Sequence, residues 1–373
     1  MIKQKTIVFI PPNGEIFVND FSIQRICHNL KKKKQIKTIL LKLDTIRGFE
    51  ENFDYVDLVI DVKTQKELIK KLKEIKPDLI FHRSWMHAYS FAAKLVKKFD
   101  NVIVNIKDWN FSSKKEYAIV FGEEATKDFK AIKYIMKNAK LILSHYTKEQ
   151  AKIWAKKYKV NKKKFVFFPE FCNEENFCDK KVLDTDTYNI AFAGSLSPTS
   201  YPEEFFIAKP HLRSVRCLTK QNIDVSYVLV EGSYAATQSP RQRLLFQDVL
   251  YENQFNDKFH LVKGKQLDSS VLSAYHYGFF TLEYTTKNKT LNKYAIPSKF
   301  AFYLEAGIPM LINDQLKSLS CYVKKYQLGI VFGNDDLDRL DEILVNNQKN
   351  YGNFVKNIKK FRKKFREGIK WIL

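Results

Sequence analysis

The stretch Ile296-Pro297-Ser298-Lys299-Phe300-Ala301-Phe302-Tyr303-Leu304-Glu305-Ala306-Gly307-Ile308-Pro309-Met310-Leu311-Ile312-Asn313 decides the fold. Its spacing predicts a loop, a short helix, a tight stop and a buried strand. Pro297 suits a helix entrance, where its missing N–H costs nothing, and Ser298 stands close enough to satisfy an orphan donor. Gly307 suits a left-handed stop, and Pro309 prevents the helix from continuing. Met310–Ile312 then reads as a strand. A helix start with a hydroxyl and a lysine beside its free N–H groups is a ready anion site.

On either side of this unit, apolar runs alternate with amphipathic stretches. Asn189–Ala193, Val225–Val230, His260–Val262, Phe279–Leu282 and Ile330–Phe332 read as further strands of the same series. An earlier series comprises Thr6–Ile10, Thr38–Leu43, Leu58–Ile60, Asp78–Phe81, Val102–Ile106, Leu141–Ser144 and Phe165–Phe168. Helical patterns such as Val18–Lys34, Gln65–Lys76 and Ala88–Phe99 lie between them. Continuous apolar strands separated by helices predict parallel sheets covered on both faces. The economical architecture is α/β: two Rossmann-like open parallel-sheet domains facing across a cleft. We place them at residues 1–175 and 176–350, with a polar linker over Phe171–Thr187 and a carboxyl-terminal amphipathic helix over 351–373.

Ligands of such domains bind where strands end and loops lead into helices. In the first domain, Asn13 and Gly14 follow the first strand, either as an ordinary turn or as a loop that meets a ligand. His82 closes the strand Asp78–Phe81, where it would hydrogen-bond a ligand or shuttle a proton, or serve as a structural histidine. Asp108 follows Val102–Ile106 at the same rim. In the second domain, Gly194, Ser195 and Leu196 form a strand-end turn whose N–H groups can cradle an anion. The turn at Glu231-Gly232-Ser233-Tyr234 and the pair Lys263-Gly264 follow the next two strands, and Leu267–Tyr275 reads as a helix. Tyr294 ends a polar, lysine-rich segment leading into Pro297. No G-x-G-x-x-G spacing occurs, so a nicotinamide dehydrogenase is poorly supported.

Pro297-Ser298-Lys299 followed by Tyr303-Leu304-x-Ala306-Gly307-x-Pro309 closely resembles the donor-side motif of B-type-fold glycosyltransferases, especially family four (group 1). Gly194–Leu196 resembles that family's strand-Gly-x-Leu loop near the donor phosphates, and Ser144–Asn173 resembles the end of its amino-terminal domain. The resemblance implies that Gly194, Ser195, Leu196, Glu231, Lys263, Tyr294, Pro297, Ser298 and Lys299 face a nucleotide-sugar donor. It also puts Asn13 and Gly14 on the acceptor side and makes His82, Asp108 and Glu305 the catalytic candidates. The chain departs from the family at three places. Lys107-Asp108 replaces His-Asp, the loop after Gly194 lacks arginine and lysine, and the usual glutamate pair is missing, with Phe302 at its second position. Lys299 is then the first choice for charge compensation, with Arg241, Arg243 or Lys263 behind it. The family implies transfer without a cofactor or metal, to a glycan or lipid-linked acceptor of surface-glycan synthesis, with retention at the anomeric carbon.

At 373 residues the chain is long enough for two cores, and its 45% hydrophobic content excludes a disordered polypeptide. No apolar run reaches membrane-spanning length, which predicts a cytoplasmic chain. Five cysteines without a C-x-x-C pair predict reduced thiols and neither zinc nor disulfides. The net charge of +23, from 64 basic and 41 acidic residues, favours an anionic partner. Phe354, Ile358, Phe361, Phe365, Ile369 and Ile372 make one helical stripe opposite a lysine-rich face. This helix would pack back toward the first domain, as in B-type enzymes, and its basic face could touch anionic lipid at the inner membrane surface. The alternatives are a B-type-fold epimerase or phosphopolyol transferase, or a basic nucleic-acid-binding protein. No recognised module supports the last, so nucleic acid is not an expected partner.

Overall fold

The computed structural model describes residues 4–12, 21–31, 33, 35–43, 53–85, 88–107, 109, 113–181, 186–196, 198–199, 208–264, 268–280 and 293–366. The chain divides into two compact units, the first running to Phe171 and the second beginning at Cys172. That boundary falls at the first residue of the expected linker.

The first unit carries seven parallel strands: β1 (Lys5–Ile10), β2 (Ile36–Leu43), β3 (Leu58–Val62), β4 (Leu79–Ser84), β5 (Val102–Ile106), β6 (Leu141–Ser144) and β7 (Phe165–Phe167). Their order is β3-β2-β1-β4-β5-β6-β7. Every residue of β5 is buried, as are Val8, Phe9 and Ile10 of β1, which is why these strands read as continuous apolar runs. Crossover helices supply the matching faces. In Gln65–Ile75 the Thr64 hydroxyl accepts from the Glu67 N–H at the entrance, and Leu68 and Leu72 are buried on the sheet side.

The second unit has six parallel strands: β8 (Tyr188–Gly194), β9 (Ile223–Leu229), β10 (Phe259–Lys263), β11 (Tyr277–Phe280), β12 (Met310–Asn313) and β13 (Gly329–Phe332). They run in the order β10-β9-β8-β11-β12-β13. The chain builds outward from β8 to β10, then returns to the other side of β8 with β11. The junction of β8 and β11 is therefore the topological switch point, where open sheets leave a crevice for ligands.

The quoted stretch forms a motif helix, Ser298–Ala306, followed by β12. Pro297 is its cap and contributes no side-chain hydrogen bond. The expected capping by Ser298 is thus not what starts the helix. Gly307 stops it at φ 73°, and a Cβ there would also stand 3.0 Å from the Cys178 carbonyl oxygen. Both the left-handed backbone and the close passage of the linker call for glycine.

Two other expectations change. Glu231-Gly232-Ser233-Tyr234 is the first turn of a helix, Glu231–Gln238, rather than a turn of its own. The helix expected over Leu267–Tyr275 is confined to Ser269–Leu272, capped by the Asp268 carboxylate, with residues 265–267 outside the described set. The last described helix, Tyr351–Arg366, buries Phe354, Ile358, Phe361 and Phe365. Its rings pack within the second unit, Phe365 5.2 Å from Phe300 and Phe361 4.5 Å from Tyr326. Residues 367–373, on which an extension toward the first domain would fall, lie outside the described residues.

Candidate functional site

The carboxyl ends of β8, β9 and β10 gather most of the expected donor-side residues. Gly194 ends β8 at φ 150°, a backbone that side-chain-bearing residues rarely adopt. Ser195 is exposed. The Leu196 N–H donates to the Ser233 hydroxyl at 3.4 Å, so the first turn of Glu231–Gln238 holds the loop. Lys263, at the end of β10, pairs with Glu231 at 2.8 Å. That pair is largely exposed and contributes little to stability, but it leaves Lys263 partly neutralised.

The motif helix approaches the same edge from β11. Pro297, Ser298 and Lys299 are half-buried, so the helix start is not sealed in the interior. The Lys299 ammonium lies 4.6 Å from the centre of the Phe192 ring, two residues before Gly194 on β8. His211 meets the same ring edge-on at 4.3 Å. Burial, aided by the nearby Lys299 charge, lowers the His211 pKa to about 3. One turn beyond Lys299, the fully buried Tyr303 sends its hydroxyl between β8 and β11. The hydroxyl accepts from the Ala193 N–H at 2.9 Å and lies 3.0 Å from the Ala191 carbonyl. Tyr294 stands half-buried, with the Lys293 ammonium 5.3 Å from its ring centre.

Glu305 does not join this group. It is fully buried at the far end of the motif helix, where its carboxylate accepts from the Asn173 N–H at 2.5 Å. Its carbonyl accepts from the Cys178 N–H and from Arg362. Glu305 therefore straps the linker to the helix, and the catalytic expectation gives way to a structural role.

In the first unit His82 is also fully buried. Its Nδ1 shares a hydrogen bond with the Ser84 hydroxyl at 2.7 Å, and Nε2 has no partner among the described residues. Burial lowers its pKa to about 3, so it is a neutral core histidine rather than a proton shuttle open to substrate. The expected Asn13, Gly14 and Asp108 lie outside the described residues.

The polar cluster beside His82 was not anticipated. Arg83 donates to the Asn105 side-chain oxygen and, at 3.3 Å, to the Glu170 carboxylate. Ser22 donates to the same carboxylate at 2.6 Å, and Arg25 donates to the Phe171 carbonyl at 2.6 Å. Burial pushes the Glu170 pKa up, but the Lys107 and Arg83 charges, the Ser22 hydroxyl and the Arg25 charge outweigh it, so the carboxyl titrates below its ordinary range. An arginine inside the apolar run Leu79–Ser84 was the one available signal.

Among the described residues, no three His, Cys, Asp or Glu side chains are grouped to hold a metal ion.

Comparison with known proteins bears on the fold. Residues 244–370 match the model of the glucosyltransferase 3-like, C-terminal domain. Anabaena HepE, solved with UDP-glucose, is similar over 98% of this chain and 96% of its own, with a TM-score of 0.65 and 10% identity. A glycosyltransferase of Rickettsia africae is similar over 98% and 93% at a TM-score of 0.58 and 13% identity. The S. aureus MnaA–UDP structure is similar over 94% and 91% at 0.53 and 11%. No curated protein matches the chain in sequence. The two parallel-sheet units have the B-type glycosyltransferase fold.

Proposed function

We propose that the chain transfers a sugar from a UDP-sugar to a hydroxyl of a glycan or lipid-linked acceptor, with the donor diphosphate seated at the start of the motif helix. The observation that carries this reading is the position of Lys299. It stands at a half-exposed helix start and rests against β8 just before the Gly194 loop. Cleavage of the bond between the anomeric carbon and the phosphate oxygen leaves its electron pair on the diphosphate. Lys299 and the first N–H groups of the helix stabilise that growing charge, so transfer proceeds without a metal. Glu231 and Lys263 border the nucleotide end of the site. UDP is the nucleotide named with Anabaena HepE and S. aureus MnaA.

No helix among the described residues is long and apolar enough to cross a membrane. Lys356, Lys360, Lys363 and Lys364 are exposed on the outward face of Tyr351–Arg366. In this reading they meet the anionic headgroups of the membrane that presents the acceptor.

Lys299→Ala lowers turnover roughly 100-fold while the folded state survives. Steady-state transfer assays with UDP-sugars, with and without EDTA, check both parts. A variant as fast as wild type removes the donor-site assignment, and loss of activity in EDTA removes the metal-free mechanism. Product analysis without acceptor separates transfer from epimerisation, which needs none.

A further inference from the structure

We infer that the Tyr303 hydroxyl is a positioning group for the diphosphate subsite: it holds β8 and β11 apart at the switch point and fixes the Gly194 loop relative to Lys299. The inference rests on the donor-site reading above and assigns a role to a residue outside it.

Among the described residues, the parallel ladder between β8 and β11 is short, pairing Tyr277 with Ile190 and Gly278 with Ala191. The next rung would use the Ala193 N–H and the Phe279 carbonyl. The Tyr303 hydroxyl stands in its place. It accepts from the Ala193 N–H at 2.9 Å, and its own proton has the Ala191 carbonyl at 3.0 Å and the Phe279 carbonyl at 3.3 Å. One hydroxyl thus replaces a direct strand–strand bond and wedges the strands open.

Space is made for it. A Cβ on Gly278 would fall 2.4 Å from a ring carbon of Tyr303, so glycine is what lets the ring pass over β11. Phe280 closes the other side edge-to-face at 5.1 Å. The phenol is fully buried, and burial keeps it protonated.

The consequence reaches the site through two short, stiff connections. Ala193 is held by the hydroxyl, and Gly194 follows it directly. Lys299 precedes Tyr303 by four residues, one turn along the same helix face. Loop and lysine are therefore referenced to a single side chain. The two groups that would bracket a diphosphate keep their separation only while that hydroxyl is in place.

The test compares two ligands on the full chain. Tyr303→Phe keeps the ring and removes the hydroxyl. Its affinity for UDP falls at least about tenfold, an amount comparable to one net hydrogen bond, while its affinity for uridine, which lacks the phosphates, stays within about twofold. Gly278→Ala, which displaces the ring and keeps the hydroxyl, gives the same split. Ligand-observed NMR titration reads both. Equal losses for UDP and uridine mean general loosening of the core and overturn the assignment, as does no loss for UDP. If wild type itself does not bind UDP, the donor-site reading fails and the inference with it. Should both variants fail to fold, hydrogen exchange on wild type decides. An Ala193 amide protected like the strand amides supports the wedge, and one that exchanges like a loop amide overturns it.

Discussion

The two sheets share a topology yet use their carboxyl ends in opposite ways. At the first edge, Arg83, Asn105 and Glu170 are turned on one another, and Arg25 and Ser22 complete the set. These groups anchor Glu170 and Phe171, the last residues before the chain enters the second unit. At the second edge the strand ends are held by main-chain geometry, the Tyr303 and Ser233 hydroxyls and the exposed Lys263–Glu231 pair, and Lys299 is half-exposed. The first edge commits its charges to buried contacts, whereas the second leaves Lys299 half-exposed, where the proposed donor would meet it. Polar residues at strand ends are therefore not functional by position alone. Burial separates the two cases.

The largest expected effect breaks the first edge. Arg83→Met removes the guanidinium that meets the buried Glu170 carboxylate, leaving it only the Lys107 and Arg25 charges and the Ser22 hydroxyl, and the side chains of the pair are only 5% and 10% exposed. Loss of about 3–5 kcal/mol is expected from urea unfolding, largely recovered in the double variant with Glu170→Gln. Lys299→Ala should leave the urea midpoint nearly unchanged, since its loss falls on turnover. If Arg83→Met unfolds where wild type does, the contrast between the edges is wrong.

A smaller effect concerns the far end of the motif helix. Glu305→Ala strands the buried Asn173 N–H, at a cost of about 1–3 kcal/mol, while Glu305→Gln keeps an acceptor oxygen and loses less. Both variants should retain the wild-type rate per folded molecule. A large fall in kcat for Glu305→Gln with an unchanged urea midpoint would restore Glu305 to the catalytic set.

How much of this was legible follows from range. The strands could be read because burial on both faces forces continuous apolar runs, and the motif helix because Pro297, Gly307 and Pro309 act within one or two residues. The role of Glu305 depends on Asn173, 132 positions away, and Arg83 meets Glu170 across 87. Nothing local records either partner. Tyr303 stood inside the quoted motif, but its task arises only where β8 and β11 diverge, which is a property of the sheet. Glu231-Gly232 looked like a turn because glycine marks turns, yet glycine is tolerated in a first helical turn, where Glu231 also favours the helix dipole.

The most gradual effect is one of pH, and it asks whether both units carry the same hidden liability. His82 and His211 titrate at about 3 in the folded chain, His82 through burial and His211 through burial with the Lys299 charge added. Unfolded imidazoles titrate near 6.5. Between those values only the unfolded chain takes up the protons, so stability is complete above about pH 6.5 and is lost as pH falls toward 3. The slope is at most about 1.4 kcal/mol per pH unit for each histidine. Glu170, whose folded pKa is depressed, adds a loss of the same sign at the acid end of that range. Urea midpoints taken between pH 7.5 and 5 should fall for wild type and fall less steeply for His82→Phe. An unchanged slope in that variant would mean that His82 is solvated in solution, which would return it to the list of residues able to meet a substrate.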